Sequence, residues 1–360
     1  MEGHMAPVDG LRLAHEDSRA AIGPLAIFDR EAREAAEAAQ LVEGATRAGG
    51  AGNRAQPEEP DPWRTCFERD RDRILHSTAF RRLAGKTQVF IFPDDHQRTR
   101  LTHALEVAQV ATAISRACRL NVALSEAMAL GHDCGHGPGG HASEDALSPF
   151  LAEGFDHAVW GADVTAAPLN LCAETLDGIR NHSWSRPAPA TPEGEAIAIA
   201  DRLAYTAHDL EDAARAGLVT LDDLPGVVVQ RCGQTRSQQL RAFVADVVQT
   251  TRRTGMVGLS PGMAEALGEL RRFDYERIYL RPASWEQSRA VKAVLRALVE
   301  HYADHPQVLP DGGGLPPGAA GTVRRAVAYV AGMTDRFACA QAVALLSWPA
   351  DQLPVGLHPG

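Results

Sequence analysis

An all-α fold is the expectation for this chain, and three observations carry it. Between Pro62 and Trp348 apolar residues recur at three- and four-residue intervals, Ala and Leu fill most of those positions, and β-branched runs are few. At 360 residues the chain has room for one large domain or two ordinary ones. No internal repeat of fixed period stands out. A hydrophobic content of 45% with 23% charged residues is that of a soluble globular protein. The net charge of −10 and the absence of a sustained Lys/Arg stripe argue against a dedicated nucleic-acid binder. Cys66, Cys118, Cys134, Cys172, Cys232 and Cys339 contain no CxxC pair and read as reduced thiols. No apolar run approaches the ~20 residues of a membrane span, and no signal peptide opens the chain, so a cytoplasmic location with no membrane partner is expected.

Taken in order, residues 29–46 are rich in Ala and Glu and predict a helix. Residues 49–62 have a flexible linker's composition of Gly, Pro and acidic residues, so 1–62 is expected to be an N-terminal helix and linker. A main domain then spans 63–348, followed by a tail, 349–360. Residues 70–83 predict a basic amphipathic helix that is either a solvated face or a set of cations for a polyanion. The next helix, 100–118, carries Leu101, Ala104, Leu105, Ala108, Ala111 and Ile114 as its apolar stripe, with His103 near its first turn. A further helix over 122–133 takes Ser125 as its cap and ends on His132-Asp133. Residues 195–217 predict a long helix with Asp201, Tyr205 and Asp209 on one side. Asp201 and Asp209 are then ~12 Å apart along the axis, too far to share one ion. A loop at 310–318 separates two C-terminal helices.

The densest chemistry lies in Gly131–Glu144, where His132, Asp133, His136, His141 and Glu144 are interspersed with glycines. Such glycines permit tight turns and let a phosphate approach the backbone. His141 and Glu144, at i and i+3, share a helix face, so the carboxylate can orient the imidazole. His103, His132, Asp133 and Asp201 come from three helices and can converge in a bundle core. Two imidazoles and two carboxylates suit a divalent ion (Mg, Mn, Fe, Co, Ni or Zn) and leave positions for water and phosphate. With His136, His141, His157 and Arg100 nearby, that is equipment for metal-assisted phosphoester hydrolysis.

The order His103, His132-Asp133, Asp201 resembles the H…HD…D signature of HD-domain phosphohydrolases. The wider run is similar to bacterial deoxyguanosinetriphosphate triphosphohydrolase-like proteins: Arg73–Leu83, Lys86–Val89, Arg98–His103, Glu174–Ile179, Asp201–Asp212 and Tyr329–Phe337. The resemblance implies an HD-domain helical bundle with additional C-terminal helices, with His103, His132, Asp133 and Asp201 as metal ligands. It implies Arg100 on phosphate, Tyr205 under a deoxyribose, Asp209 on the 3′-hydroxyl, and Gln88 and Val89 at the sugar and base end. His141 with Glu144 would be the acid–base pair, with His136 and His157 on phosphate. The implied reaction splits a deoxynucleoside triphosphate (dGTP or a broader set) into deoxynucleoside and triphosphate, in a homo-oligomer.

Two departures bear on substrate. The family's usual HPPFGH is His136-Gly137-Pro138-Gly139-Gly140-His141 here, which predicts a looser pocket wall. The usual Asn-Ala-Gln after Phe155-Asp156-His157 is Ala158-Val159-Trp160, which removes two polar groups. The alternatives are an HD phosphohydrolase acting on another mono-, di- or triphosphate in a biosynthetic pathway, and a non-catalytic nucleotide sensor.

Overall fold

The computed structural model describes residues 4–5, 11–19, 22–23, 25–310 and 316–356. Its regular structure is helical, apart from a two-residue antiparallel ladder between His4–Met5 and Arg12–Leu13. Part of the expected 310–318 loop (311–315), the end of the tail (357–360) and parts of the N-terminal segment lie outside the described residues. Among the described residues no helix is long and apolar enough to cross a membrane. The six cysteines are free thiols, four of them buried.

The central post is the Arg100–Cys118 helix, as expected. Its alanines let other helices come close, and Ala104, Val107, Ala108, Ala111 and Ile114 are buried against Val122–Gly131 and Pro192–Arg215. Leu105, placed in that stripe by spacing, is 47% exposed instead. Val122–Gly131 is capped by Asn121, whose side chain accepts from the Leu124 N–H at 3.0 Å. Ser125, the expected cap, is buried inside the helix, with its hydroxyl 2.7 Å from that of Ser115. After Gly131 the chain turns sharply. At Gly135 a side chain would stand 2.0 Å from the His157 carbonyl oxygen, so only glycine lets the two backbones approach this closely.

Two expected helices differ from their sequence reading. The 70–83 stretch breaks at Ser77, whose extended backbone (ψ 150°) ends Cys66–His76 and whose hydroxyl caps Thr78–Arg82. The 29–46 helix is shorter, Arg30–Gln40. The linker expectation for 49–62 is also corrected. Arg54 donates to Asp70 at 2.6 Å and to the carbonyls of Cys66 and Asn170 at 2.9 and 2.6 Å, with its side chain 1% exposed. A charge so deeply buried needs all these partners, and satisfying them pins the segment to the helical core. Composition reports loop character; it does not report one buried arginine.

A second apolar cluster is formed by Pro282–Asp304, Ala320–Ala331 and Asp335–Leu346 around Leu298, Tyr302, Val330 and Ala342, and it takes in Ala146 and Leu147 of His141–Leu147. It holds the glycine-rich loop through polar contacts. Buried Asp335 accepts from the backbone N–H groups of Thr87 at 2.9 Å and Gly139 at 2.8 Å. Lys86, whose ammonium is pushed down to about 8 by burial, donates to the carbonyls of Ala331, at 3.0 Å, and His136. Asp335→Ala would strand three buried donors, the two N–H groups and the Thr87 hydroxyl, so a loss of about 3 kcal/mol of stability is expected in chemical denaturation. A loss below about 0.5 kcal/mol, the range of ordinary surface changes, would show that the loop does not depend on this clamp.

Candidate active site

Three helices and one turn bring the four expected metal-site residues together. His103 lies one turn into Arg100–Cys118, Asp201 is midway along Pro192–Arg215, and His132 and Asp133 occupy the turn after Gly131. His103 Nε2 is 3.0 Å from Asp201 Oδ1 and 3.9 Å from Asp133 Oδ2. His132 Nε2 is 3.5 Å from Asp133 Oδ1 and 3.6 Å from Asp201 Oδ1. The His132 Nδ1–H donates to the Ala129 carbonyl at 2.7 Å, which leaves Nε2 facing the carboxylates as an acceptor with no hydrogen-bond partner. A buried acceptor of that kind, beside two carboxylates and a second imidazole, fits a divalent cation. With no ion there, burial opposes a charged His132, but Asp133 and Asp201 outweigh it and raise the imidazole to about 9. Burial likewise opposes ionisation of Asp133 and Asp201. Arg100 and His132 hold the first well below the usual carboxylate range, and His103 and His132 hold the second there.

Beside this group the structure assembles a shelf of imidazoles. His136 and His157 stack at 3.7 Å, and His136 Nε2 is 3.2 Å from Asp133 Oδ1. Glu144 faces His157 more closely than its expected partner. Its Oε1 accepts from the backbone N–H of His157 at 3.2 Å and, in a tighter contact, from Nδ1. The His141 Nδ1 lies 3.5 Å from Oε2, on a side chain 73% exposed at the cavity mouth. The i, i+3 spacing does put His141 and Glu144 together, but it cannot show that residue 157 takes the other carboxylate oxygen. His182 was not singled out as a site residue. Its Nε2 is 3.2 Å from His157 Nε2, and its Nδ1 donates to the Ile179 carbonyl at 2.8 Å. The one signal was its place three residues after the Glu174–Ile179 motif.

These groups form one end of a cavity of about 610 Å³. Gln88, Val89, Arg100, His103, Asp133, His136, His141, His157, Asp201, Tyr205 and Asp209 all line it, whereas His132 and Glu144 stand behind the lining. Arg100, expected on phosphate, donates to Asp133 Oδ2 at 2.6 Å. Tyr205 accepts from Arg271 Nε at 3.1 Å, and Asp209 accepts from the Tyr279 hydroxyl. Burial pushes the Asp209 carboxyl up to about 7. Sequence reasoning missed three cations of this cavity. Arg202 lies 3.7 Å over the Trp184 ring, Arg271 covers Tyr275 at 4.5 Å, and Arg281 donates to the Ile278 carbonyl at 3.0 Å. Arg271, Tyr275 and Tyr279 follow at four-residue intervals, which was the available signal.

The two departures act differently from expectation. A side chain at Gly139 (φ +73°) would meet Val291 Cγ1 at 2.5 Å, so valine occupies the space that a side chain there would need. Ala158, Val159 and Trp160 do not line the cavity; Trp160 packs on Phe155 at 5.0 Å.

Residues 100–206 match the HD domain family, and residues 257–343 match the phosphohydrolase-associated domain family. A deoxyguanosinetriphosphate triphosphohydrolase-like protein of Caldanaerobacter subterraneus subsp. tengcongensis is 40% identical over 316 residues, 86% of this chain and 93% of that protein. One from Clostridium perfringens (strain 13 / Type A) is 41% identical over 300 residues, 79% of this chain and 87% of its own length. One from Ruegeria sp. (strain TM1040) is 37% identical over 358 residues, with 79% and 93% covered. The crystal structure of a hypothetical protein from Aquifex aeolicus shares the fold, with a TM-score of 0.50 at 16% identity over 78% of this chain and 69% of that one. The HD signature, its associated C-terminal helices and this degree of identity place the chain in the deoxyguanosinetriphosphate triphosphohydrolase-like family of HD-domain phosphohydrolases.

Proposed function

We propose that this chain hydrolyses a 2′-deoxynucleoside triphosphate at its α-phosphorus, releasing the deoxynucleoside and inorganic triphosphate. The observation that carries the reading is the polarity of one cavity. A buried His/Asp cluster closes one end, and the guanidiniums of Arg202, Arg271 and Arg281 rest on ring faces, a hydroxyl and a carbonyl in the same space. Guanidiniums so placed remain available to a polyanion. The names of the relatives support a deoxyguanosine nucleotide among the substrates.

In this reading His103, His132, Asp133 and Asp201 hold a divalent ion. Bound there, such an ion stabilises charge on phosphoryl oxygens and lowers the pKa of water. Arg100 neutralises phosphate from beside Asp133, and His136 and His157 present imidazoles to it. His141, at the mouth and next to Glu144, returns a proton to the 5′-oxygen as the P–O bond breaks. Tyr205 lies under the deoxyribose, where its bulk opposes a 2′-hydroxyl. Asp209, oriented by Tyr279, accepts from the 3′-hydroxyl. Gln88, whose buried Oε1 has no partner, and Val89 meet the sugar and base end. The family resemblance implies a homo-oligomer, which is part of this reading.

Incubation with dNTPs, NTPs and monophosphates, with products identified by phosphorus NMR, tests the reading. Triphosphate from a dNTP is expected. Orthophosphate or pyrophosphate as product would instead favour an enzyme of another nucleotide, and binding without turnover a sensor. Two further outcomes are expected. Tyr205→Ala should narrow the dNTP-over-NTP preference in kcat/KM by about tenfold, a ~1.4 kcal/mol effect; an unchanged ratio would remove Tyr205 from the sugar contact. Because His132 sits near 9 with no ion, it must lose a proton on binding one. Apparent Mn(II) affinity should therefore rise with pH, approaching tenfold per unit below about 9. Calorimetry in buffers of different ionisation enthalpy should show the released proton, and a pH-independent affinity would contradict it.

A further inference from the structure

We propose that Gln287 is a specificity-determining residue that donates to the nucleobase and favours a 6-oxopurine, with residues 353–356 as the positioning segment that fixes its amide. This inference rests on the triphosphohydrolase reading above, in which the base lies beside Gln88 and Val89.

Residues 353–356 are docked on the body of the protein. Leu353 packs on the second apolar cluster, and Pro354 is buried and lines a small cleft with Ile91 and Val291. Gly356 follows with φ +79°, and a side chain there would stand 2.8 Å from the Ile91 carbonyl oxygen. Only glycine allows that approach. Gly356 and Gln287 both line the main cavity, together with residues 88–91.

Gln287 ties this segment to the Pro282–Asp304 helix. Its Oε1 accepts from the backbone N–H of Val355 at 2.9 Å and from that of Gly356 at 3.3 Å. A backbone N–H can only donate, so the amide oxygen must face the segment, and both of its lone pairs are engaged. Nε2 has no acceptor among the described residues, so its two N–H groups are what Gln287 offers a ligand in the cavity. A free glutamine pairs with adenine by accepting from N6 and donating to N7, whereas guanine presents two acceptors, O6 and N7. With its oxygen taken by the segment, Gln287 keeps only the donor half of that choice. Val89, Phe90 and Ile91, the stretch on which Gly356 packs, carry no charge, which suits a base and not a phosphate.

The test measures kcat/KM of the full chain for dGTP, dATP and deoxyinosine triphosphate, which keeps the 6-oxo group. Both 6-oxopurines are expected to exceed dATP by about tenfold or more. Gln287→Glu keeps one oxygen for the two N–H groups and puts a second oxygen where the amine was, so dATP should then exceed dGTP. Gly356→Ala, which pushes the segment off the Ile91 carbonyl and frees the amide to rotate, should narrow the ratio without reversing it. A merely structural Gln287 would lower both substrates together. Turnover in which wild-type dATP equals or exceeds either 6-oxopurine, or in which either variant leaves the ratio unchanged, overturns the proposal and leaves the triphosphohydrolase reading standing. Turnover of no deoxynucleoside triphosphate overturns both. If Gln287→Glu does not fold, the wild-type comparison of deoxyinosine triphosphate with dATP decides.

Discussion

A carboxylate removed from water needs compensating positive charge or donors; the Asp133 side chain is only 4% exposed and that of Asp201 19%. Most of the site's organisation follows from meeting that need. Arg100 reaches Asp133 from the first turn of the central helix, and imidazoles of that helix and of the turn after Gly131 approach the two carboxylates. The same geometry that makes these anions tolerable inside the protein leaves His132 Nε2 without a hydrogen-bond partner. The cluster is therefore complete electrostatically only when a proton or a cation occupies its centre.

The fold serves this arrangement in two layers. Alanine-rich packing among Arg100–Cys118, Val122–Gly131 and Pro192–Arg215 brings the segments that carry His103, His132, Asp133 and Asp201 within side-chain reach. The C-terminal helices contribute no residue to the His/Asp cluster, yet Asp335 and the Ala331 carbonyl hold Thr87, Lys86 and Gly139 in place, and Val291 packs beside Gly139. The neighbouring Arg271–Arg281 stretch adds cations and two tyrosines to the lining of the same cavity. The HD segment supplies the His/Asp cluster, and the associated segment adds Arg271, Tyr275, Tyr279 and Arg281 to the lining.

Much of this was legible in the sequence, because helical periodicity and a few short motifs carry it. His103, His132, Asp133 and Asp201 meet as their order along the chain predicts. What was not legible depends on which groups become neighbours after folding. Spacing gives Glu144 to His141, while the folded chain brings His157 closer to it. Linker-like composition hides Arg54, whose partners lie 16 and 116 residues away. A single serine, Ser77, breaks a helix that charge and apolar period would have continued. His182 follows a recognised motif without belonging to any spacing rule, and only its contact with His157 marks it.

The central claim is that four side chains spread over about a hundred positions enclose one divalent ion. Crystals of the full chain grown with Mn(II), with data collected on both sides of the manganese absorption edge, test it most directly. The account predicts an anomalous peak within bonding distance of His103, His132, Asp133 and Asp201 together. A peak elsewhere, or none among these four residues in manganese-loaded crystals, would contradict it.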